Sequence, residues 1–407
     1  MIKKIAIWGT GKSALKVFDF IKNYSSLYKV VAFIENNVCA QGEKLFGLPV
    51  DSYEKIHDKV DYDVILIASV FYEEISKQIE ATFNDSYVKR CEDLEGVGYR
   101  EAIIEVSGIC NAKCAWCITG KDNRAGVQLP NIKYLNLEQF KKIYNKLIEL
   151  GAINKNTTLS LYNWGEPLLN PNFEEIVLFL NSKEQKFAIS TNASVYKKLN
   201  DSQILQHLEK IYISMPGFSQ DSYDKIHGFN FEQIKRNIVN IVKNYRNCGF
   251  SGKVYISYHI YQFSMEEYLE AKKFAESNDI ELNPYFAYFN GISMAIDYME
   301  NKMEYEILKQ AGKQLILSYV DDYLKKRPSK YICPQLYQIV IDTEGNLNLC
   351  CAADKYSSEY IIGKIESIQE LSELKMMKEK SMNCLTCKKC QEYAIDFWAN
   401  NPKTYVN

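Results

Sequence analysis

Apolar and polar positions fall into two series along the chain. In the first, KKIAIW, KVVAFIEN and DVILIAS are short apolar runs of strand type, the second ending at Glu35. Apolar residues at helical spacing follow the first run through about Tyr24, and again from about Tyr72. This βαβ pattern predicts a small doubly wound α/β domain over residues 1–95. The second series begins at Glu101. Strands are expected at 102–106, 158–162 (TLSLY), 186–190 (KFAIS), 210–214 (KIYIS), 253–260 (KVYISYHI) and 281–288 (ELNPYFAY). Helices are expected between them, at about 136–150, 172–184, 202–208, 230–247 and 265–277. Strand–helix units in a row imply a parallel sheet with right-handed crossovers. Six are too few for a closed eight-stranded barrel and suit a curved, open (β/α)6 barrel over residues 100–300. A helix is expected at 301–327. The composition then shifts to cysteine-bearing short strands and loops, with one helix near 366–380, marking a third unit at 328–395.

Composition narrows the class. The 407 residues are 47% hydrophobic and 25% charged, with a net charge of -2 and a pI near 6.2. These are values of a globular protein and give no electrostatic case for nucleic acid. The 30 tyrosines are spread along the chain, as amphipathic packing residues or as the lining of a polar cavity. No apolar run approaches the ~20 residues of a membrane span. MIKKIAIWG lacks a small-residue cleavage site and reads as a first strand. The expectation is a cytoplasmic protein without membrane or nucleic-acid partners. Six of the 12 cysteines lie from Cys333 onward; in a reducing compartment such clustering points to metal or cluster ligation.

In the first domain, GTGKSA follows the first strand. Gly9 and Gly11 match the first two glycines of a dinucleotide fingerprint, Ala14 takes the third place, and Glu35 stands where a ribose-binding acid would sit. GKS does not complete a Walker A loop, because that motif's first glycine would fall at Ala6. A nucleotide site and a packing or partner-docking module both remain open. The domain resembles the small Rossmann-like domains appended to enzymes of sugar and surface-glycan metabolism.

EVSGICNAKCAWC, Glu105 to Cys117, leaves the first strand of the second series. Cys110, Cys114 and Cys117 are separated by three and then two residues. Three thiolates on a strand-end loop can hold an iron–sulfur cluster by three corners and leave one iron open. Structural zinc takes four ligands, and no fourth Cys or His is close by. This spacing, with Trp116 before the last cysteine, resembles the radical SAM superfamily, and the likeness extends over residues 101–290. Gly165-Glu166-Pro167 resembles that family's GGEP, with Trp164 in place of the first glycine; Ser190-Thr191-Asn192 follows the third strand; ISMPG stands where relatives have ISIDG, so Pro216 replaces an acid. SQDSYDKIHG resembles the next family segment, with His227 where Arg is frequent. The resemblance implies a partial TIM barrel whose [4Fe–4S] cluster binds S-adenosylmethionine and cleaves it reductively to a 5′-deoxyadenosyl radical. It implies too that this radical abstracts a substrate hydrogen atom. A reductase such as flavodoxin or ferredoxin would supply the electron. It also implies a cofactor-binding set of Trp116, Gly165, Glu166, Pro167, Ser190, Thr191 and Asn192, with Glu166 at the methionine ammonium, Ser190 and Asn192 at the carboxylate and ribose, and Trp116 at adenine.

Cys333, IDTEGNLNLC ending at Cys350, and CLTCKKC from Cys384 resemble the SPASM or shorter twitch extension of that family, with Gly345 four residues before Cys350. The two-cluster form has more cysteines than the six present, so one auxiliary [4Fe–4S] cluster is expected. Its ligands would be Cys333 and Cys350, joined by two of Cys384, Cys387 and Cys390. CxxC pairs serve zinc equally well. Cys351 is either a spare thiol or a catalytic one, as a ligand or hydrogen-atom donor. Cys39, Cys91 and Cys248 read as buried structural thiols, His207 and His227 as surface or helix-end residues, and Tyr258 and His259 as strand-end residues at the barrel mouth. The expected reaction is oxidation, epimerisation or dehydration of a small molecule such as a sugar or nucleotide-linked sugar. A SPASM-type peptide or protein maturase is the alternative.

Overall fold

Each apolar series builds one sheet, and how its strands alternate decides what the sheet can pack against. The computed structural model describes residues 1–395 apart from 70–71, 89, 128–132, 319–332, 355–356 and 394. The residues divide into two compact units, Met1–Arg100 with Ile148–Thr157, and Glu101–Leu147 with Thr158 onward.

The first unit is a six-stranded sheet in the order Lys44–Leu45, Leu48–Asp51, Tyr28–Ile34, Lys3–Trp8, Val64–Ile67, Tyr87–Val88. Along Lys3–Trp8, side chains leave the sheet on alternate faces. Ile5 and Ile7 pack with Val17, Phe18 and Ile21 of helix Lys12–Ile21. Ala6 and Trp8 pack on the other face with Tyr53, Ile56, Ile75 and Ile79. Both faces are buried, which is why these strands read as unbroken apolar runs. Gly9 has φ 121°, and a Cβ there would meet the Ala68 carbonyl oxygen at 3.2 Å. Glu35 links two neighbouring strand-end loops: its Oε2 accepts from Thr10 Oγ1 at 2.6 Å and its Oε1 from the Asn37 N–H at 3.0 Å. Cys39 lies in the exposed turn Val38–Ala40, contrary to the buried position expected from its residue type.

The second unit is a nine-stranded sheet in the order Glu281–Phe286, Lys253–Ile260, Leu208–Met215, Phe187–Thr191, Thr158–Ser160, Glu101–Ile104, Gln338–Ile341, Asn346–Asn348, Ile361–Lys364. The six expected barrel strands are present, parallel, and neighbours in sequence order. The barrel is open: the far side of Glu101–Ile104 is taken by Gln338–Ile341, also parallel, and the sheet continues antiparallel from there. The cysteine-rich segment is therefore an extension of the barrel sheet, which the sequence pattern did not reveal.

Two expected helices differ. Residues 202–208 form turns that run into the strand at Leu208; Asp201 Oδ1 accepts the Gln203 N–H at 2.9 Å, a local bond that competes with helix. Instead of one helix at 301–327 there are Ile292–Met299 and Tyr305–Gln314, while 319–327 lie outside the described residues, as do 328–332 of the third unit. Strand Lys253–Ile260 sends Val254, Ile256, Tyr258 and Ile260 into the packed side and leaves Tyr255, Ser257 and His259 on the other. Tyr258 thus faces away from the mouth, where it was expected, and its hydroxyl donates to the Ser264 carbonyl at 2.6 Å.

If Gln338–Ile341 is integral to this sheet, Ile341→Ala, at a side chain with no exposure, should cost about 2–5 kcal/mol. Urea unfolding checks this; a loss below about 1 kcal/mol would mean the strand is not part of the core.

Candidate functional site

The site is assembled at the C-terminal ends of the parallel strands, where open α/β sheets bind ligands. Its first part is the loop carrying Cys110, Cys114 and Cys117. Helix Ile118–Ala125 begins directly after Cys117 and folds back onto the loop: Asn123 Nδ2 donates to the Cys110 and Ala112 carbonyls, both at 2.7 Å, and Arg124 Nη2 donates to the Lys113 carbonyl at 2.6 Å. Gly120 is where the two approach, since a Cβ there would lie 2.4 Å from the Cys114 backbone nitrogen.

Glu105, a charged residue inside an apolar run, is 3% exposed. Its Oε1 accepts the Trp164 N–H at 2.8 Å and the Gly165 N–H at 3.1 Å, and the Glu166 N–H donates to the Ile109 carbonyl at 2.8 Å. The NWGEP loop is thereby laced to the segment that leads into the cysteines. Only glycine fits at 165, because a Cβ would stand 1.8 Å from the Ser107 carbonyl oxygen. Glu166, also 3% exposed, accepts from the Leu168 N–H at 3.0 Å, Thr191 Oγ1 at 2.8 Å and the Asn192 N–H at 2.7 Å. A carboxylate has roughly four acceptor positions, so about one remains for a ligand donor. Asn192 reaches back, its Nδ2 lying 3.7 Å from Cys110 Sγ and 3.1 Å from Asn111 Oδ1. Burial pushes Glu166 up to about 7, against the pull of these three donors.

A cavity of about 900 Å³, open to solvent, is lined by all three cysteines, by Trp116, Gly165 and Glu166, and by Ser190, Thr191 and Asn192. Pro167 is not on this wall; it is buried and opens the turn Pro167–Leu169. Trp116 is 4% exposed, donates from Nε1 to Gln314 Oε1 at 3.0 Å and meets the Phe289 ring edge-on. The cavity's remaining wall carries Tyr162, His259, Tyr285 and Tyr288. His259 Nε2 pairs with the Tyr285 hydroxyl, and burial lowers the imidazole to about 4, so it is neutral near pH 7. His227, expected at the surface, is 2% exposed and packs edge-on against Tyr223; burial lowers it to about 3. Its polar surroundings in sequence, KIHG, suggest a solvated turn, and the burial comes from tertiary packing. Glu105 and Tyr285 were missed at the sequence level; the acid interrupting AIIEV is the one signal that pointed to the first.

A second cavity, of about 780 Å³, is lined by Cys333, Cys350, Cys351, Cys387 and Cys390, and Cys384 Sγ accepts the Cys387 N–H at 3.4 Å. Tyr288 and Asn290 border both cavities. The Asn290 N–H donates to the Trp116 carbonyl at 3.0 Å and the Ile292 N–H to the Ala352 carbonyl at 3.1 Å, so one short segment joins the two cysteine loops. Cys91 and Cys248 are buried apart from both.

The donor sets fit iron–sulfur clusters. Burial, aided by the Glu166 charge, pushes the Cys110 thiol up to about 12; a cation at the sulfurs is what would make thiolates there. Among the described residues no three Cys, His, Asp or Glu side chains converge as the ligands of one ion do. The thiols instead line two cavities, Cys110, Cys114 and Cys117 the first and Cys333, Cys350, Cys351, Cys387 and Cys390 the second.

Two outcomes follow from this geometry. Gly165→Ala should abolish S-adenosylmethionine binding, measured by equilibrium dialysis on cluster-loaded protein, since the loop must move to admit the methyl group. Undiminished binding would refute the close approach. Glu166 has a folded pKa raised above its ordinary 4.5. Between these values the unfolded chain releases a proton that the folded one keeps. Stability of the ligand-free protein should therefore fall by up to about 3 kcal/mol as pH rises from about 4.5 to about 7. Glu166→Gln should flatten that slope in urea titrations at the two pH values.

Residues 104–275 match the family model described as the radical SAM superfamily, and residues 1–87 match one described as C2185-like, N-terminal. The antilisterial bacteriocin subtilosin biosynthesis protein AlbA of Bacillus subtilis (strain 168) is 27% identical over 129 residues, which are 31% of this chain. The matched region spans 26%, about a quarter, of that relative. Among solved structures, SuiB of Streptococcus suis bound to the precursor peptide SuiA is 15% identical with a TM-score of 0.47, covering 80% of this chain and 77% of that one. BtrN in complex with AdoMet and 2-DOIA is 14% identical with a TM-score of 0.33, covering 72% and 86%. Residues 104–275 are a radical SAM domain, as the cysteine spacing and the GEP and STN segments led one to expect.

Proposed function

We propose that this chain is a radical SAM enzyme that modifies a peptide or protein by starting from abstraction of a C–H hydrogen. The observation that carries the radical reading is the convergence of Cys110, Cys114 and Cys117 with Glu166, Ser190 and Asn192 on one cavity. When bound, a [4Fe–4S] cluster and S-adenosylmethionine supply one-electron cleavage of the sulfonium and hydrogen-atom abstraction. The three cysteines hold the cluster, and the one remaining acceptor position of Glu166 receives the methionine ammonium. Asn192 spans from Cys110 Sγ to Asn111 and orders the cofactor's edge. Tyr162, His259, Tyr285 and Tyr288 line the part of the cavity that the substrate enters. Cys333 and Cys350, with two of Cys384, Cys387 and Cys390, hold an auxiliary cluster beyond the shared wall of Tyr288 and Asn290, with Cys351 beside it. An external flavodoxin- or ferredoxin-type reductase supplies the electron. The peptide substrate is supported by the match to AlbA, whose name places that protein in bacteriocin biosynthesis.

A second reading, a sugar or nucleotide-linked sugar as substrate, is favoured by the doubly wound first unit with its Gly9 turn and Glu35. No helix among the described residues is long and apolar enough to cross a membrane.

Anaerobic reconstitution should give about eight irons per chain, and replacing Cys110, Cys114 and Cys117 by alanine should remove about four. With dithionite and S-adenosylmethionine, a short precursor peptide encoded beside this gene should raise 5′-deoxyadenosine formation and change in mass by whole hydrogens. Stimulation by nucleotide sugars with the peptide unchanged would select the second reading. Failure of the triple variant to lose iron would sink the assignment of the first site.

A further inference from the structure

Lys378 is the one buried lysine or arginine among the described residues, at 2% exposure. It sits on helix Leu371–Ser381, one turn after the buried Leu374, in a position where an apolar side chain would be expected. Its Nζ donates to the Leu349 carbonyl at 2.6 Å, immediately before Cys350. No carboxylate among the described residues pairs with it. An ammonium has three donors, and a buried charge facing one neutral carbonyl is costly. Burial lowers the ammonium below its ordinary value, and the charges that would oppose this are those of Cys350, Cys333, Cys351 and Cys387, four of the five cysteines lining the second cavity. The charge is thus uncompensated as long as these sulfurs are neutral thiols, and compensated once they are thiolates on a metal cluster.

We propose that Lys378 is the built-in counter-charge of the cluster held in the second cavity, and that it raises that cluster's reduction potential. This rests on the auxiliary-cluster reading above. A thiolate-ligated cluster becomes more negative on reduction. A fixed positive charge in a low-dielectric setting therefore favours the reduced state. Solvent-exposed lysines of the same helix would be screened and would do this weakly.

The test uses the full chain carrying Cys110→Ala, Cys114→Ala and Cys117→Ala, so that one cluster signal remains, and adds Lys378→Met or Lys378→Arg. Iron content and the midpoint of an EPR-monitored redox titration are measured anaerobically. Lys378→Met should keep the iron and shift the midpoint lower, while Lys378→Arg stays near the parent. An unchanged midpoint in Lys378→Met, or an equal shift in Lys378→Arg, overturns the proposal. If Lys378→Met retains no iron, urea unfolding of the iron-free proteins decides. An unmatched ammonium makes the parent less stable than Lys378→Met, and the opposite order overturns the counter-charge. A parent chain that holds no iron overturns the auxiliary-cluster reading itself, and this proposal with it.

Discussion

Glu105 is the interaction on which the second unit's site depends. It stands at the end of the first barrel strand and ties three parts of the chain to one residue. Its carboxylate holds the amides of Trp164 and Gly165, its own N–H donates to the Ile341 carbonyl at 2.8 Å, and the chain continues from it into the cysteine loop. A buried carboxylate is expensive unless it is fully hydrogen-bonded, and this one is placed so that paying its desolvation organises the GEP loop. Two amides, each worth about 1–3 kcal/mol if orphaned, would otherwise be buried without that acceptor. The same logic recurs one strand along, where Glu166 gathers the amides and hydroxyl of Leu168, Asn192 and Thr191.

The second organising element is backbone alone. Asn290 and Ile292 bond to the carbonyls of Trp116 and Ala352, and Gly291 between them has φ 148°. That conformation is open to glycine and closed to most residues, so a three-residue bridge can turn from one cysteine loop to the other. The two thiol-lined cavities therefore share a wall at Tyr288 and Asn290. The sheet adds to this coupling, because Gln338–Ile341 pairs directly with Glu101–Ile104. The cysteine-rich segment and the barrel are one structure in this sense, although their compositions differ sharply.

Legibility followed the range of the interactions. The barrel strands were readable because each has its own local apolar run, and the motif residues because family spacing is local. The turn at 201–207 was misread as helix because Ile204 and Leu205 mimic helical spacing while an aspartate side chain takes the backbone bond instead. Tyr258 and His259 were grouped together, yet strand alternation sends one to the packing face and the other to the cavity. His227 and Lys378 look like surface residues in sequence. Both are buried, His227 on the wall of the first cavity with His259 and Tyr261, and Lys378 against the Leu349 carbonyl.

The amino-acid sequence by itself determined the open α/β barrel, the doubly wound first unit, and the chemistry of a three-cysteine loop followed by GEP and STN segments, since periodicity, turn residues and spacing act over a few residues. The tertiary structure alone decided which of those residues share a cavity, that the last cysteines line a second cavity beside the first, that Tyr285 shares the first cavity, that Glu105 holds the GEP loop, and that Lys378 is buried against the Leu349 carbonyl. Those facts depend on which strand ends become neighbours and which charges lose their water, and both are set by long-range pairing that no local pattern carries.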